Sequence, residues 1–240
     1  MPATPNRLFL QGNPPKPEEI PGPMPRKAPQ PGLFPEPAAK LPPGLSHRPG
    51  LLGPAAQAAL YEAVQAVARA APFAHARTKM GLTLAAMTNA GDAGWWSDLK
   101  GYRYETRNPA TGQAWPPMPE VFRDAVAAAV AGTPWPGFTP DACLINFYGE
   151  GAKMGLHQDR DEKDFAQPIV TISLGDDGDF QIGGLTRRER AEVLVLKSGD
   201  ALVMGGDSRM RFHGIRKIHP GTSPLADLTG RISLTFRKAL

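Results

Sequence analysis

The segment PIVTISLG, residues 168–175, decides the fold of this chain because it is the clearest of six similar short segments. The other five are CLINFYG (143–149), DFQIGG (179–184), AEVLVLKSGD (191–200), ALVMGGD (201–207) and RISLTFR (231–237). Most of the six are bounded by Gly or Asp, which favour turns. Because no long helical segment separates them, they predict antiparallel strands of a sandwich or jelly roll rather than a doubly wound α/β fold.

Two segments upstream of these strands predict helices that pack outside the sheets. Residues 54–72 place three apolar side chains on one helical face, those of Leu60, Val64 and Val67. Residues 119–132 predict a second helix that ends at a glycine. Between them, residues 81–118 are rich in aromatics and turn residues, which favours strands joined by exposed loops. The predicted fold class is mainly β with flanking helices (α+β).

Residues 1–50 differ from the rest of the chain in composition, since they contain 15 of its 27 prolines. Proline lacks an amide donor and is excluded from helix interiors, so this segment predicts a largely disordered, polyproline-like tail. We therefore expect one folded domain over residues 51–240, in which the jelly roll begins near residue 141.

The composition of the chain limits both its compartment and its metal chemistry. Cys143 is the single cysteine, which excludes an internal disulfide and a metal site built from several thiolates of this chain. The sequence has no apolar stretch long enough to span a membrane and no signal-peptide pattern at its start. We expect a cytoplasmic protein whose metal, if it binds one, is held by histidine and carboxylate.

The net charge of +4 does not by itself indicate a nucleic-acid partner. Residues 1–50 carry six Lys or Arg against three Asp or Glu, so the other 190 residues contribute only +1. A local basic rim is still possible in such a body, although the ordinary role of its members would be solvation. The candidates are Lys100, Arg103, Arg107, Arg187, Arg188, Arg190, Arg209 and Arg211.

The segment GLHQDRDE, residues 155–162, suggests two metal ligands. Alternate residues of an extended segment point to the same side, so His157 and Asp159 direct an imidazole and a carboxylate into one space. On its own this spacing is also typical of a solvated turn. Of the other histidines, His213 lies near the start of a predicted strand and is a better third ligand than His219, which precedes a proline. Two imidazoles and one carboxylate form the open arrangement that Fe(II) adopts, whereas structural zinc is normally closed by four protein ligands.

The segment RISLTFR, residues 231–237, provides a candidate anchor for a co-substrate. Strand alternation places Arg231, Ser233, Thr235 and Arg237 on one face and the apolar residues on the other. The simpler interpretation is an exposed polar face of a sheet. A dicarboxylate such as 2-oxoglutarate requires charged donors at both ends, and two arginines provide them with planar, bidentate geometry.

Taken together, these motifs resemble the AlkB family of Fe(II)/2-oxoglutarate-dependent nucleic-acid dealkylating dioxygenases. The resemblance runs in order from about Met87 to Arg237. It implies a double-stranded β-helix (jelly roll) with N-terminal helices and a nucleotide-recognition lid over about 81–118. It further implies that the cofactors are Fe(II), 2-oxoglutarate and O2. The implied residues are His157, Asp159 and His213 for iron, and Asn146, Tyr148, Arg231, Ser233 and Arg237 for 2-oxoglutarate.

The same resemblance implies a set of base-contacting residues, namely Met87, Trp95, Tyr102, Asp161 and Arg187. In the family, the residue similar to Trp95 stacks on the damaged base, and the one similar to Asp161 accepts a hydrogen bond from the exocyclic amine of that base. For Trp96 and Tyr104 we expect simple packing within the lid. The chain departs from the bacterial prototype at Ser233, where the prototype has asparagine, and at Met204, where it has tryptophan.

The resemblance implies oxidative demethylation of 1-methyladenine and 3-methylcytosine in DNA, with release of formaldehyde, succinate and CO2. The expected partner is alkylated nucleic acid, preferably single-stranded DNA or a flipped base, and we expect a monomer with no membrane partner. An RNA or tRNA demethylase of the same family is the main alternative. A cupin-like metal protein without redox chemistry and a catalytically idle nucleic-acid-binding module are the others.

Overall fold

A computed structural model describes residues 41–78 and 81–240, and within them the chain forms two α-helices and thirteen strands. The helices are α1 (Pro54–Ala70) and α2 (Glu120–Val130). The strands before α2 are β1 (Leu45–Arg48), β2 (Ala74–Thr78), β3 (Gly81–Gly91), β4 (Gly94–Asp98) and β5 (Gly101–Glu105). Those after α2 are β6 (Ala142–Tyr148), β7 (Met154–His157), β8 (Ile169–Gly175), β9 (Asp177–Ile182), β10 (Glu192–Leu196), β11 (Ala201–Met204), β12 (His213–His219) and β13 (Arg231–Arg237).

The strands form a large sheet, a small sheet and a separate hairpin. The large sheet has the order β1-β11-β8-β13-β6-β3-β2, and the small sheet has the order β10-β9-β12-β7. The hairpin consists of β4 and β5. Every strand pair is antiparallel, and the six strands expected from the sequence are all present. The jelly roll with flanking helices is confirmed.

The large sheet is covered on both faces, and its two faces have different partners. Against one face pack the apolar sides of the helices, where Leu60 of α1 and Phe122 of α2 join Ile172 and Leu234 in one buried cluster. The other face meets the small sheet in a second cluster of buried apolar side chains, which includes Tyr148, Ile169, Phe180, Met204 and Ile215. The polar face of β13 therefore points into the interior of the jelly roll and not into solvent.

The predicted boundary of the folded domain at residue 51 is wrong, because ordered structure begins earlier. Strand β1 pairs antiparallel with β11, and His47 contributes a 3.0 Å contact from Nε2 to Oδ2 of buried Asp200. The same carboxylate accepts a hydrogen bond from the Gly50 amide. Prolines at 42, 43 and 49 flank this strand rather than interrupt it, so their number in the segment misled the prediction.

The remainder of the predicted proline-rich tail, residues 1–40, lies outside the described residues. Within the part that is described, neither helix is long and apolar enough to cross a membrane.

Candidate active site

Two neighbouring strands of the small sheet bring the predicted metal-binding residues together. His157 is the last residue of β7 and His213 the first residue of β12, and the two are directly paired in the antiparallel register. Asp159 follows two residues after His157, where β7 has ended. Although 56 residues separate the two histidines in sequence, strand pairing places their rings 4.5 Å apart, between ring centroids.

One ligand atom from each of these three residues lies within 4.8 Å of the other two, so together they could hold one metal ion. The Nε2 atom of His157 is 3.5 Å from Oδ1 of Asp159, and the Nε2 atom of His213 is 3.8 Å from Oδ2. Both imidazoles direct Nδ1 at a main-chain carbonyl, that of Gly155 and that of Arg211. Since a carbonyl only accepts, Nδ1 carries the proton and Nε2 presents its lone pair to the shared space.

The charges around this space favour the protonation states that a metal requires. Burial and the neighbouring His157 lower the pKa of His213 to about 4, so its imidazole is neutral at pH 7. Burial opposes ionisation of Asp159, yet the attraction of Arg237 and the two histidines outweighs it and holds the carboxyl pKa below its usual range. An ionised carboxylate and a neutral imidazole are the forms in which Asp159 and His213 bind divalent cations.

The two predicted co-substrate arginines are buried in different surroundings. Arg237 donates two hydrogen bonds to Oδ2 of Asp159, from Nε at 2.9 Å and from Nη2 at 2.6 Å. Arg231 has no exposed surface and donates to the hydroxyl of Ser173 and to the carbonyls of Asp176 and Leu196. The alternative of an exposed polar sheet face is therefore wrong for β13.

The other predicted co-substrate residues lie on β6 and β13, which are paired in the large sheet. Tyr148 is paired with Arg231 and Asn146 with Ser233 in the register of β6 and β13. Met87 of β3 is in turn paired with Asn146. All of these side chains are buried. Burial raises the pKa of the Tyr148 phenol, which therefore remains a hydrogen-bond donor at neutral pH.

The hairpin of β4 and β5 carries the predicted base-contacting aromatics next to the loop that contains Asp159 and Asp161. The ring of Trp95 stacks on that of Tyr102, with 5.5 Å between centroids and 17° between planes. The indole Nε1 of Trp95 donates a 2.8 Å hydrogen bond to Oδ2 of Asp161. Because Asp161 is only two residues from Asp159, the aromatic pair and the Asp159 carboxylate are attached to one short segment.

Arg187 lies in the exposed loop between β9 and β10. Its guanidinium lies over the ring of Phe212, 5.1 Å from the centroid. Phe212 immediately precedes His213, so this arginine lies near the candidate metal site. Its exposure leaves its donors accessible to a ligand.

Comparison with known proteins identifies the family. The model of the 2OG-Fe(II) oxygenase superfamily matches residues 44–237 of this chain. Over 198 residues the chain is 48% identical to the alpha-ketoglutarate-dependent dioxygenase AlkB homolog of Caulobacter vibrioides, and this covers 82% of the chain and 88% of the relative. The chain belongs to the AlkB family.

Two further comparisons agree with membership of the AlkB family. The alpha-ketoglutarate-dependent dioxygenase AlkB of Escherichia coli is 45% identical over 174 residues, which is 72% of this chain and 80% of the relative. Among solved structures, one titled "The structure of OsALKBH1" superposes with a TM-score of 0.72 at 32% identity, and covers 82% of this chain and 98% of that one. The predicted enzyme class, an Fe(II)/2-oxoglutarate-dependent dioxygenase, is confirmed.

The residues of this AlkB-family chain fit the cofactors of the family. Two imidazoles and one carboxylate form a donor set suited to Fe(II) that leaves open coordination positions. Among the described residues, the buried Nε of Arg231 and the buried Oδ1 of Asn146 have no hydrogen-bond partner. Unpaired polar atoms are costly inside a protein, so these two atoms are consistent with a polar ligand between the sheets.

Sequence reasoning missed three polar residues beside the candidate site. Arg209 was expected to be solvated, but it is buried and its Nη2 donates a 2.9 Å hydrogen bond to Oε2 of Glu162. Tyr104 was expected only to pack in the lid, but its hydroxyl donates to Oε1 of Glu162 at 2.6 Å. The signal for Glu162 was the second acidic pair in the segment GLHQDRDE, of which only Asp161 received a role.

Proposed function

We propose that this chain removes methyl groups from 1-methyladenine and 3-methylcytosine in DNA, and so repairs alkylated bases by direct reversal. The observation that carries this proposal is the short segment from His157 to Asp161. It joins two residues of a buried, metal-competent site to the carboxylate that holds Trp95. A base stacked on that indole would therefore lie beside the metal.

We assign Fe(II) to His157, Asp159 and His213. When bound, the iron supplies the oxidation: with 2-oxoglutarate and O2 it hydroxylates the alkyl group, and formaldehyde, succinate and CO2 are released. The protein holds both imidazoles with Nε2 toward the metal through the hydrogen bonds at Nδ1. It also keeps the Asp159 carboxylate ionised through Arg237.

We assign 2-oxoglutarate to the space between the sheets that is lined by Asn146, Tyr148, Arg231, Ser233 and Arg237. The two arginines lie six residues apart on one strand face, and both are buried. A buried guanidinium paired with a carboxylate forms a strong, charge-assisted hydrogen bond. Burial lowers the pKa of Arg231 to about 10, which still leaves the guanidinium charged at neutral pH.

We assign the methylated base to Met87, Trp95, Tyr102, Asp161 and Arg187. A methyl group on the pairing edge prevents normal base pairing, so less than the usual few kcal/mol is needed to extrude such a base. Stacking on Trp95 returns roughly 1–3 kcal/mol. Trp95 donates to Oδ2 of Asp161, and within residues 41–78 and 81–240 Oδ1 is left to accept a hydrogen bond from the exocyclic amine of adenine or cytosine.

RNA is the second candidate substrate. Stacking on Trp95 and a hydrogen bond to Asp161 both use the face and the amine edge of the base, which DNA and RNA have in common. Neither contact distinguishes deoxyribose from ribose, so the choice depends on contacts to the backbone.

Matched oligonucleotides test the proposal. A single-stranded DNA and an RNA of the same sequence, each with one 1-methyladenine, would be incubated with the protein, Fe(II), 2-oxoglutarate and O2. We expect mass spectrometry to show loss of the methyl group, with a higher kcat/KM on DNA. A higher kcat/KM on RNA would favour the tRNA or RNA demethylase alternative, and an unchanged methyl group on both would contradict the proposal.

We also propose that the protein acts as a monomer, because one chain supplies every residue assigned to the metal, the co-substrate and the base. Light scattering after size-exclusion chromatography measures the mass. The mass of one chain is expected, and that of two would contradict this part of the proposal.

A further inference from the structure

Glu162 lies at the centre of a buried polar network next to the metal-binding residues. Its carboxylate accepts hydrogen bonds from the Tyr104 hydroxyl at 2.6 Å and from Nη2 of Arg209 at 2.9 Å. A third donor, Nε of Arg237, lies 3.3 Å away. A buried carboxylate with donors from three separate elements fixes the relative positions of those elements.

Arg237 is shared between two carboxylates. It binds Oδ2 of Asp159 through Nε and Nη2, and the same Nε faces Oε1 of Glu162. Arg209 completes the arrangement, because its Nη1 donates a 2.9 Å hydrogen bond to the main-chain carbonyl of Asp159. The network thus contains two carboxylates and two guanidiniums, and its formal charges balance. Removing one carboxylate would leave an excess positive charge beside the metal site.

Tyr104 connects this network to the hairpin that carries the base-stacking aromatics. It lies on β5, directly paired with Trp95 of β4. Burial raises the pKa of its phenol well above the usual range, so the hydroxyl remains a donor to Glu162. If the hairpin moved and displaced Trp95, Tyr104 would therefore displace Glu162 as well and, through it, Arg237.

We propose that Glu162 is a positioning residue, which competes with Asp159 for the Arg237 guanidinium and so limits how strongly Arg237 binds Asp159. We further infer that the series Tyr104, Glu162, Arg237 couples the hairpin to the metal and co-substrate site. Occupation of the hairpin by a nucleic acid then changes the affinity for 2-oxoglutarate, and the effect is reciprocal. This coupling rests on the proposed function, whereas the positioning of Arg237 by Glu162 does not.

The first experiment measures metal binding and uses no nucleic acid. Mn²⁺ would be titrated into the metal-free full chain by calorimetry, with Glu162→Gln compared with Glu192→Gln, an exposed glutamate at the start of β10. Without the negative charge of Glu162, the Arg237 guanidinium forms an ion pair with Asp159 alone. We expect Glu162→Gln to weaken Mn²⁺ binding about 10- to 100-fold, as is typical when a partner of a metal ligand is changed. The Glu192→Gln control should bind Mn²⁺ like the wild type. Equal affinity in both variants would overturn the positioning role.

The second experiment isolates the connection to the hairpin. The dissociation constant of 2-oxoglutarate would be measured without oxygen in the Mn²⁺-loaded protein, with and without a methylated DNA oligonucleotide. In the wild type we expect the oligonucleotide to tighten 2-oxoglutarate binding about fivefold or more. In Tyr104→Phe, which removes only the hydroxyl, the ratio of the dissociation constants without and with the oligonucleotide should be close to one. The matched control is Tyr61→Phe, because that hydroxyl binds the carbonyl of Asp227 at the surface.

The two experiments separate the possible failures. The coupling would be overturned if the oligonucleotide did not change the dissociation constant of 2-oxoglutarate in the wild type. It would also be overturned if the wild-type change persisted in Tyr104→Phe. If Glu162→Gln did not fold, as judged by circular dichroism, the Tyr104→Phe comparison would still decide whether the hairpin is coupled to the co-substrate site. Failure of the proposed function would appear differently, as unchanged methyl groups on every oligonucleotide while the Mn²⁺ titrations still distinguished Glu162→Gln from its control.

Discussion

The interior of the jelly roll and the β4–β5 hairpin differ in how they hold their functional side chains. Arg231 in the interior has no exposed surface, whereas 57% of Tyr102 on the hairpin is exposed. In the interior the guanidiniums of Arg231 and Arg237 are held by side chains and main-chain carbonyls. On the hairpin, the indole of Trp95 stacks on Tyr102 and donates a hydrogen bond to exposed Asp161.

This difference separates chemistry from recognition. Buried, charge-assisted networks leave side chains little freedom, which suits a metal and a small co-substrate that must be bound in one geometry. Exposed aromatic side chains can rearrange around substrates of different shape. We therefore expect changes in the interior to have large effects that do not depend on the substrate, and changes on the hairpin to have smaller effects that do.

The largest effect is expected for the residues that we assign to the metal, where a buried residue can be compared with a partly exposed one. His157→Ala and Asp159→Ala should both abolish turnover, because the remaining ligands cannot hold iron in a reactive geometry. Their stabilities should differ. Asp159→Ala leaves Arg237 buried without its main partner and should cost about 3–5 kcal/mol of unfolding free energy. His157→Ala should cost much less unfolding free energy, because 35% of the His157 side chain is exposed. Equal destabilisation in chemical denaturation would contradict the buried pairing of Asp159.

The second-largest effect is expected on 2-oxoglutarate affinity, when substitution of a buried arginine is compared with substitution of an exposed one. Arg231→Lys should weaken 2-oxoglutarate binding by about 2–5 kcal/mol, since a lysine cannot reproduce a desolvated bidentate contact. Arg216→Lys is the matched control, because 55% of the Arg216 side chain is exposed where it pairs with Asp179, and Arg216 is not assigned to the co-substrate. Its substitution should change 2-oxoglutarate binding by about 0–1 kcal/mol. Calorimetric titration without oxygen measures both. Unchanged affinity in Arg231→Lys would remove this residue from the co-substrate site.

The third effect belongs to the hairpin. Trp95→Ala should raise the KM for a methylated oligonucleotide by an amount equivalent to roughly 1–3 kcal/mol. The dissociation constant of 2-oxoglutarate should stay within about twofold of the wild-type value, because stacking involves the base and not the co-substrate. The neighbouring Trp96→Ala is the control, since the Trp96 indole donates to Asp98 within the hairpin. A raised KM in Trp96→Ala alone would make Trp96 the stacking residue.

The smallest effect is expected at the N-terminus. Deleting residues 1–40 should leave turnover on a short methylated oligonucleotide within a few-fold of the wild type, because a proline-rich composition cannot build a pocket. Deleting residues 1–50 should instead lower the melting temperature, since it removes β1 and the contact between His47 and Asp200. A collapse in turnover after the shorter deletion, with the fold intact, would show that residues 1–40 take part in catalysis.

Much of the fold and of the metal site was predictable because it depends on local patterns. Turn residues at the ends of short segments identified the six strands, and alternation of polar and apolar residues identified the two faces of β13. The spacing of His157 and Asp159, with the position of His213 at the start of a strand, identified three residues that strand pairing brings together. Two patterns were too weak to detect, those of β1 among its prolines and of the four-residue strand β7.

The buried network around Glu162 could not be predicted from local patterns. Charged residues are normally exposed, and they are buried only where opposite charges meet them. The partners of Glu162 lie 58, 47 and 75 positions away in the chain, at Tyr104, Arg209 and Arg237. Only the folded sheets bring these residues together, so a sequence without its structure gives Arg209 the ordinary role of a solvated cation.

The most direct test of the proposed demethylation is the yield of two products in a single reaction. The full chain would be incubated with Fe(II), 2-oxoglutarate, O2 and a single-stranded DNA that contains one 1-methyladenine, and succinate and formaldehyde would be quantified per methyl group lost. We predict one formaldehyde for each methyl group removed, at least as much succinate, and neither product above background with His157→Ala. Succinate without formaldehyde, with every methyl group retained, would contradict the proposed demethylation.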